Sequence, residues 1–229
     1  MLFRSQYRTG TRDYIPISDR GLGYVDVKEV IDFIRSDKNQ TKIVTNAGKR
    51  NYCPAKKLKL KVDIEKVKAN GTVPVEKYEN ILPEIKWKIK GNGFYKNQLM
   101  VLDMLAHNNW ERPIYFAITV GQDNFMGLEK YFQLEGLSYR LVPYEAVSPD
   151  GQTGEVNVDR MYDNLMNKFS WGGLNNPDVY LDETNTRMIM NFRNNYARLA
   201  ESLFVLDRKE DAIAVLDKCV REMPNTTAP

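Results

Sequence analysis

The chain has 229 residues, of which 42% are hydrophobic and 28% are charged, and its formal net charge at pH 7 is +3. We therefore expect a folded globular protein, and a charge this small gives no reason by itself to expect nucleic-acid binding. The two cysteines, Cys53 and Cys219, fit neither a metal site nor a disulfide framework. No apolar run reaches the roughly 20 residues of a membrane-spanning helix.

The first half of the chain is predicted to alternate helices and strands. Asp26 is suited to cap a helix whose apolar residues, Val27, Val30, Ile31 and Ile34, recur at helical spacing. The patterns that follow predict a buried strand at 41–48, a half-buried strand at 57–62, a short helix at 62–71, a half-buried strand at 84–90 and a helix at 95–109.

The apolar run "PIYFAITV" at 113–120 is rich in β-branched and aromatic residues, which predicts a central strand covered on both faces. With a short helix predicted at 127–136 and a strand at 137–142, the two strands would form a right-handed βαβ unit. Residues 147–156 are predicted to be a linker. The remaining patterns predict helices only, at 158–169, 184–206 and 209–223.

These elements predict an α/β fold, with a mixed sheet and flanking helices over residues 1–150 and a helical part over 157–229. The strand at 113–120 is expected at the centre of the sheet, and the strands at 57–62 and 84–90 are expected nearer an edge. The glycine-containing phrases "GLGY" and "GNGF" match no complete phosphate-binding motif and are interpreted as turns.

The stretch "HNNWERPIYF" holds the only histidine, His107, close to Glu111 and Arg112. A histidine beside a carboxylate is suited to acid–base catalysis. However, Glu111 follows across a helix-to-strand corner, with no nucleophile or second metal ligand nearby. We predict a structural corner, with Trp110 in the core and Glu111 and Arg112 at its solvent rim. No catalytic, cofactor-binding or metal-binding residue is predicted, and no cofactor.

Two predicted strands alternate lysine with apolar residues. If they pair, one sheet face carries Lys57, Lys59, Lys61, Lys86, Lys88 and Lys90. Such a face is suited to anionic lipid headgroups, a phosphate-bearing ligand or an acidic partner, and each lysine would add about 1 kcal/mol near an anionic membrane. Alternatively, the lysines only solubilise the face and protect sheet edges. No aromatic residue interrupts the lysine pattern, which argues against stacking with single-stranded nucleic acid.

The last two predicted helices resemble one tetratricopeptide repeat over residues 193–226. The spacing is carried by Tyr196, Leu199, Ala200 and Leu203, then by Ala212, Leu216, Cys219 and Pro224. A single repeat does not bury its own outer face, so the hairpin would pack on the preceding domain or dock a partner. The candidate partner contacts are Tyr196, Leu199, Leu203 and Leu216. A generic packed helical hairpin is the alternative.

Several longer phrases occur together in one known family. They are "YRTGTRDYIPI" (7–17), "NNWERPIYFAITV" (108–120), "GLEKYFQLEGLSYRLVPY" (127–144), "YDNLMNKFSWGG" (162–173), "YLDETNTRM" (180–188) and "NNYARLAESL" (194–203). In these phrases the chain resembles the C-terminal soluble part of a Bacteroidetes-type family of multi-pass membrane proteins of unknown function. The N-terminal half of that family resembles protein O-mannosyltransferases and other GT-C glycosyltransferases.

This resemblance implies that the chain is a fragment that begins inside the extracytoplasmic region, on the periplasmic face of the inner membrane. Catalysis would then lie in the upstream membrane half of the parent protein. The expected function is a non-catalytic accessory domain that helps to position an acceptor protein, a lipid-linked sugar donor or a partner, without nucleic acid. A purely structural or assembly scaffold is the alternative, and an independent hydrolase is the third.

Overall fold

The computed structural model describes residues 14–46, 48–176 and 178–224. These residues form two compact units that interleave along the chain. Within the described residues, unit 1 comprises 14–113, 121–130 and 142–145, and unit 2 comprises 114–120, 131–141 and 146–224. The predicted α/β class with a helical C-terminal part is confirmed, although four small sheets in the described part replace the single mixed sheet.

Unit 1 contains the following elements in chain order: β1 (Tyr14–Pro16), β2 (Tyr24–Asp26), α1 (Val27–Arg35), β3 (Lys42–Thr45), β4 (Gly48–Asn51), β5 (Lys57–Lys61), α2 (Ile64–Ala69), β6 (Glu84–Lys88), β7 (Gly93–Tyr95) and α3 (Lys96–Asn108). In its three-stranded sheet, β2 runs parallel and β6 antiparallel to the central strand β5. Strand β1 pairs antiparallel with β7, and β3 with β4. The predicted strand at 41–48 therefore exists, but it lies in a hairpin with Val44 exposed rather than buried.

Helix α1 forms as its apolar spacing predicts. The Asp26 side chain accepts a hydrogen bond from the Lys28 N–H at 2.9 Å, which satisfies one free donor of the first turn. The four apolar residues that the spacing singled out are all buried, and the helix packs on α3. The core of the same unit also contains the buried side chains of Leu58, Trp87 and Leu102. Each such side chain stabilises the fold by about 1.5–3 kcal/mol.

Unit 2 contains the following elements: β8 (Tyr115–Ala117), β9 (Phe132–Leu134), β10 (Ser138–Leu141), β11 (Glu155–Val156), α4 (Val158–Asp163), α5 (Glu183–Val205) and α6 (Lys209–Glu222). Its sheet has the order β11-β9-β10-β8. Helix α4 continues as one π-helical turn over Asn164–Lys168. Helices α5 and α6 form the predicted hairpin.

The prediction for residues 113–120 is wrong. Only Tyr115–Ala117 is a strand, and it lies at the sheet edge with Tyr115 and Ala117 exposed and Phe116 buried. The strand ends because the Val120 N–H bonds the Ala117 carbonyl in a turn. Since β8 pairs antiparallel with β10, no βαβ unit links them.

The predicted helix at 127–136 is also wrong. A 3₁₀ turn over Glu129–Tyr131 leads directly into strand β9, whose three residues are all buried. Strand β9 pairs with β10 on one side and with β11 on the other. Because all three residues are buried, β9 has no solvent-exposed face of the kind that an amphipathic helix would show.

Residues 147–156, predicted to be a linker, form a loop that ends in strand β11 within unit 2. The Arg198 side chain is 3% exposed and its Nε lies 2.7 Å from an Asp150 carboxylate oxygen. The same guanidinium donates to the carbonyls of Thr153 and Gly154 at 3.0 and 2.6 Å. One buried arginine therefore fixes this loop against α5.

Among the described residues, no helix has both the length and the apolar character needed to cross a membrane.

Candidate functional site: a lysine face and a helix hairpin

The pairing of β5 with β6 brings lysines from both strands onto one sheet face. Lys57 lies opposite Lys88, and Lys59 lies opposite Lys86. Directly opposed residues of an antiparallel pair project from the same face. Lys61 belongs to the same row, since it alternates with Leu58 and Leu60 along β5. We call the surface formed by Lys57, Lys59, Lys61, Lys86 and Lys88 the lysine face.

The sixth candidate lysine lies apart from this face. Lys90 follows the end of β6, and its Nζ lies 3.5 Å from a carboxylate oxygen of Glu129. It also lines a cavity of unit 1. Lys90 therefore belongs to a different local environment from the other five.

An aromatic residue does interrupt the lysine face. By the parallel register of β2 with β5, Tyr24 lies beside Lys57, and the Nζ atoms of Lys57 and Lys86 lie 5.8 and 5.7 Å from its ring centre. The sequence argument that no aromatic accompanies the lysines is therefore wrong. It failed because β2 reaches β5 by a crossover connection, which the alternation within β5 and β6 does not reveal.

Two carboxylates lie among the lysines of the face. As a result, some of these lysines form ion pairs and others do not. Asp26 lies opposite Lys59 in the register, and Glu84 lies opposite Lys61. The Glu84 carboxylate is 2.7 Å from Lys86 Nζ and 3.3 Å from Lys59 Nζ.

The hydrogen bond from Lys86 is the main reason that the pKa of Glu84 lies below its ordinary value; slight burial opposes it, and Lys59 adds to the lowering. Lys59 and Lys86 are thus partly neutralised by a carboxylate that stays ionised. Within the described ranges, Lys57, Lys61 and Lys88 form no ion pair. These three are the lysines best placed to meet an external anion.

The charged residues of the His107 corner have separate partners. His107 lies in the last turn of α3, where its Nδ1 is 3.3 Å from an Asp103 carboxylate oxygen. Glu111 instead lies 3.4 Å from Lys66 Nζ. A hydrolase would need an exposed His107 beside Glu111. His107 is exposed, but His107 and Glu111 are held by different partners. Nothing in this geometry joins them as an acid–base pair.

Local backbone geometry explains the corner. Asn109 and Trp110 both have positive φ angles, 43° and 59°, and the Asn108 side chain bonds both backbone groups of Arg112. Trp110 is buried, and its Nε1 donates to the Lys61 carbonyl at 2.8 Å. The predicted placement of Trp110 in the core and of Glu111 and Arg112 at the surface is confirmed.

The helix hairpin presents a different surface from the one predicted. Tyr196, Leu199 and Leu203 are completely buried within unit 2, and only Leu216 of the four candidate contacts is exposed, at 45%. A partner on the outside of the hairpin would therefore not reach the first three. Helical spacing identifies the apolar face of α5, but it does not say whether that face meets the chain's own core or a partner.

An apolar groove lies on the exposed side of the hairpin. Its volume is about 490 Å³, and it is lined by Ala197, Ala200, Phe204, Ala212, Ile213 and Leu216, with Glu201 and Lys209 completing the lining. Phe204 and Ile213 are 62% and 60% exposed. We call this surface the hairpin groove. Its small residues let another helix approach closely, while the larger ones supply apolar area.

A buried charge cluster in unit 2 was not anticipated from the sequence. The Glu135 carboxylate accepts a hydrogen bond from the Tyr115 hydroxyl at 2.9 Å and lies 3.4 Å from Arg140 and 3.7 Å from Arg160. Burial, and then the negative charge of Glu135, raises the pKa of Tyr115. The partners of this carboxylate come from β8, β10 and α4, so the cluster joins these elements.

Neither cysteine is placed for chemistry at the surface. Both are free and buried, and burial raises the pKa of Cys53 to about 11. In the described ranges, no group of three or more His, Cys, Asp and Glu side chains is arranged to hold a metal ion.

One comparison with known proteins gives a match. The family model described as TMEM260-associated domain 2 matches residues 1–160. No curated protein and no solved structure matches the chain. The matched range contains all of the lysine face and ends before helix α5 begins.

Proposed function

Because the chain belongs to the TMEM260-associated domain 2 family, we propose that it is an accessory domain of a TMEM260-like membrane protein and that its lysine face lies against an anionic membrane surface. The observation that carries the proposal is the set of lysines without an ion pair, Lys57, Lys61 and Lys88, on one face of the three-stranded sheet. Cationic side chains near an anionic bilayer contribute about 1 kcal/mol each.

Tyr24 supports a membrane contact over simple solubilisation. Its ring is 43% exposed, and the ammonium groups of Lys57 and Lys86 lie 5.8 and 5.7 Å from the ring centre. Tyrosine is enriched at membrane–water interfaces, where the ring meets apolar material and the hydroxyl stays hydrated. A face built only for solubility gains nothing from an exposed ring among its lysines.

In this proposal the domain lies on the extracytoplasmic side, and the upstream membrane half of the parent protein carries out glycosyl transfer. The resemblance of that half to protein O-mannosyltransferases and other GT-C enzymes supports this assignment. The domain helps to position the acceptor protein or the lipid-linked sugar donor, whose diphosphate presents the same anionic chemistry as a lipid headgroup.

A vesicle-binding measurement tests the lysine face. The variant Lys57→Glu/Lys61→Glu/Lys88→Glu is compared with Lys38→Glu/Lys49→Glu/Lys96→Glu, which changes the net charge equally at exposed positions outside this sheet. We expect the first variant to bind phosphatidylglycerol-containing vesicles at least about 100-fold more weakly, because three attractions of about 1 kcal/mol are lost. Equal losses in both variants would show only a net-charge effect and would contradict the proposal.

A deletion in the full-length parent protein tests the accessory role. The residues of this chain are removed, and the abundance of the parent in the membrane and the cell's glycoprotein pattern are measured. Normal abundance with lost glycosylation is expected if the domain positions donor or acceptor. Normal abundance with an unchanged pattern would contradict any link to glycosylation.

The hairpin groove favours a second candidate function, an assembly scaffold. Its exposed apolar walls suit a helix from another part of the parent protein, packed between Phe204 and Leu216. In that case Ile213→Glu would lower the abundance of the parent protein while vesicle binding by this chain stays unchanged. The two functions are thus separated by their readouts.

A further inference from the structure

Unit 1 contains a cavity that neither the lysine face nor the hairpin groove explains. Its volume is about 450 Å³, and it is lined by Tyr14, by the segment 89–95, by Gln98 and by residues of the segment 122–129. This volume lies in the range of small-molecule sites, roughly 300–1,000 Å³. The turn Gly91–Asn92–Gly93, which the sequence singled out as a glycine-rich phrase, forms part of its wall.

The wall is fixed by contacts within the chain. The Gln98 side chain accepts a hydrogen bond from the Tyr95 N–H at 3.0 Å and donates one to the Asp123 carbonyl at 3.1 Å, which joins two sides of the cavity. Gly127 has a φ of +91°, and a Cβ there would press on the Lys88 carbonyl. A site held in place before binding loses less conformational entropy when a ligand enters.

The charges at the cavity disfavour an anionic ligand. Its cation, Lys90, lies 3.5 Å from Glu129 and is paired with it. Asp123 also lines the cavity and forms no ion pair in the part of the chain that the structure describes. A phosphate or nucleotide would therefore meet an uncompensated carboxylate, which repels it.

The remaining groups suit hydroxyl groups and a ring face. Gln122 supplies an amide donor and acceptor, and Asp123 supplies acceptors. The Asn92 amide keeps its donors while its oxygen accepts from Lys56 Nζ at 3.0 Å, and the Gln98 amide holds the wall. Tyr95 lines the same cavity and is 57% exposed, so its ring offers an apolar surface. The rings of Tyr14 and Tyr95 meet edge to face, at 61° and 5.4 Å. They do not form the multi-faced aromatic cage that favours an organic cation.

We propose that this cavity binds a neutral polyhydroxylated ring, of the class of a hexopyranose unit. Each hydroxyl of such a ring both donates and accepts, which matches the mixture of amides and carboxylate, and its C–H face packs on the Tyr95 ring. No residue of the lysine face lines this cavity, so sugar binding here does not depend on the membrane contact.

The test uses the whole chain and saturation-transfer NMR with methyl glycosides of glucose, galactose, mannose and N-acetylglucosamine. Inorganic phosphate and tetramethylammonium are the anionic and cationic comparison probes, followed by chemical-shift perturbation. At about 10 mM probe, which detects dissociation constants near 1 mM, at least one glycoside is expected to bind. Asp123→Asn and Tyr95→Ala should each weaken it at least tenfold, whereas the exposed control changes Asp178→Asn and Tyr180→Ala should leave it unchanged.

Three results would overturn the proposal: no transfer to any glycoside, binding of phosphate or tetramethylammonium alone, or glycoside binding that survives Asp123→Asn in a folded variant. Because Tyr95 pairs with Tyr14 across two strands, Asp123→Asn, which keeps size and shape, decides the matter if Tyr95→Ala fails to fold. The variant with glutamate at Lys57, Lys61 and Lys88 should bind the glycoside normally, so failure of the membrane proposal is distinguishable from failure of this one.

Discussion

At the scale of single residues, Arg198 is a buried charge that holds a loop of unit 2. It is almost completely buried, with its charge matched by Asp150 and its other N–H groups directed to carbonyls of the same loop. Arg198→Ala removes these donors and leaves buried acceptors unpaired. We expect the free energy of unfolding, measured by urea denaturation, to fall by about 3–5 kcal/mol.

The matched control is Arg187→Ala on the same helix. Arg187 is exposed and forms an ion pair with Glu183 one turn earlier, and such pairs contribute about 0.3–0.5 kcal/mol. Arg198→Lys should restore only part of the loss, because an ammonium lacks the planar fork that reaches several acceptors at once. Equal effects of the two alanine changes would contradict the structural role of Arg198.

Asp150 makes this contact dependent on pH. Burial alone would raise its pKa, but hydrogen bonds from Ser148, from the Gln152 amide and from Arg198 outweigh burial and hold the pKa below the ordinary value of 3.8. A lowered folded-state pKa gives stability that is complete above the unfolded-state pKa, about 3.9, and is lost as the pH falls through the lower folded-state value. The stability difference between the wild type and Asp150→Asn should therefore be constant near neutral pH and shrink in acid. A difference independent of pH would refute this linkage.

The cysteines give a direct measure of burial. With its pKa raised to about 11, Cys53 has only about a thousandth of its thiol ionised near pH 8, and the thiolate is the reactive form. Burial also raises the pKa of Cys219. We expect no rapid reaction of either thiol with Ellman's reagent in the native protein and reaction of both in guanidinium chloride. One fast equivalent in the native protein would show that a cysteine is accessible.

At the scale of elements, the turn between β9 and β10 needs glycine. Gly136 has a φ of +119°, and a Cβ there would lie about 2.9 Å from the Phe169 ring. The turn is also held by Asn164 and Asn195, whose side-chain amides donate to the carbonyls of Glu135 and Gly136. Gly136→Ala should lower the free energy of unfolding by about 1–3 kcal/mol.

Gly151→Ala separates backbone strain from crowding. Gly151 also has a positive φ, +70°, but nothing lies within 4 Å of a Cβ at this position. This substitution should destabilise by about 1 kcal/mol or less, the backbone contribution alone. Thermal unfolding of both variants checks the comparison, and equal shifts would mean that Phe169 moves aside without loss.

The sequence predicted elements best where one face alone is buried. Helix α1 and strands β5 and β6 show clean periods, because a solvent face alternates with a core face. Strand β9 shows no such period, because its residues are buried on both faces of the sheet. Apolar content reports burial, but it does not report which partner causes it.

The candidate surfaces follow the same rule. The lysine row of β5 and β6 was predictable from alternation, whereas the position of Tyr24 depends on a parallel crossover. For the hairpin, the spacing identified Leu199 and Leu203 as one apolar face. Their burial in the chain's own core depends on β9 and α4, which belong to the same hydrophobic cluster.

At the scale of the whole molecule, the chain interleaves two units, and a cut along the sequence does not separate them. The family match ends at residue 160, inside unit 2. A chain truncated there keeps strands β8 to β11 but loses α5 and α6. In the complete chain, Leu134 of β9 is fully buried in a cluster with Leu165 and Tyr196.

We therefore expect the truncated chain to lose ordered structure in unit 2 while unit 1 remains folded. Short strands without a packed face are marginal in water, whereas the buried residues Leu58, Trp87 and Leu102 of unit 1 all stay in the truncated chain. In hydrogen–deuterium exchange, the amides of β9 and β10 should lose protection at least about 100-fold relative to the complete chain, and those of β5 and β6 should keep theirs. Protection of β9 and β10 in the truncated chain would show that their sheet is stable without the helices. Helices α5 and α6 would then not be needed to fold unit 2. That result would favour a role in assembly with a partner for the hairpin over a role in stabilising this chain.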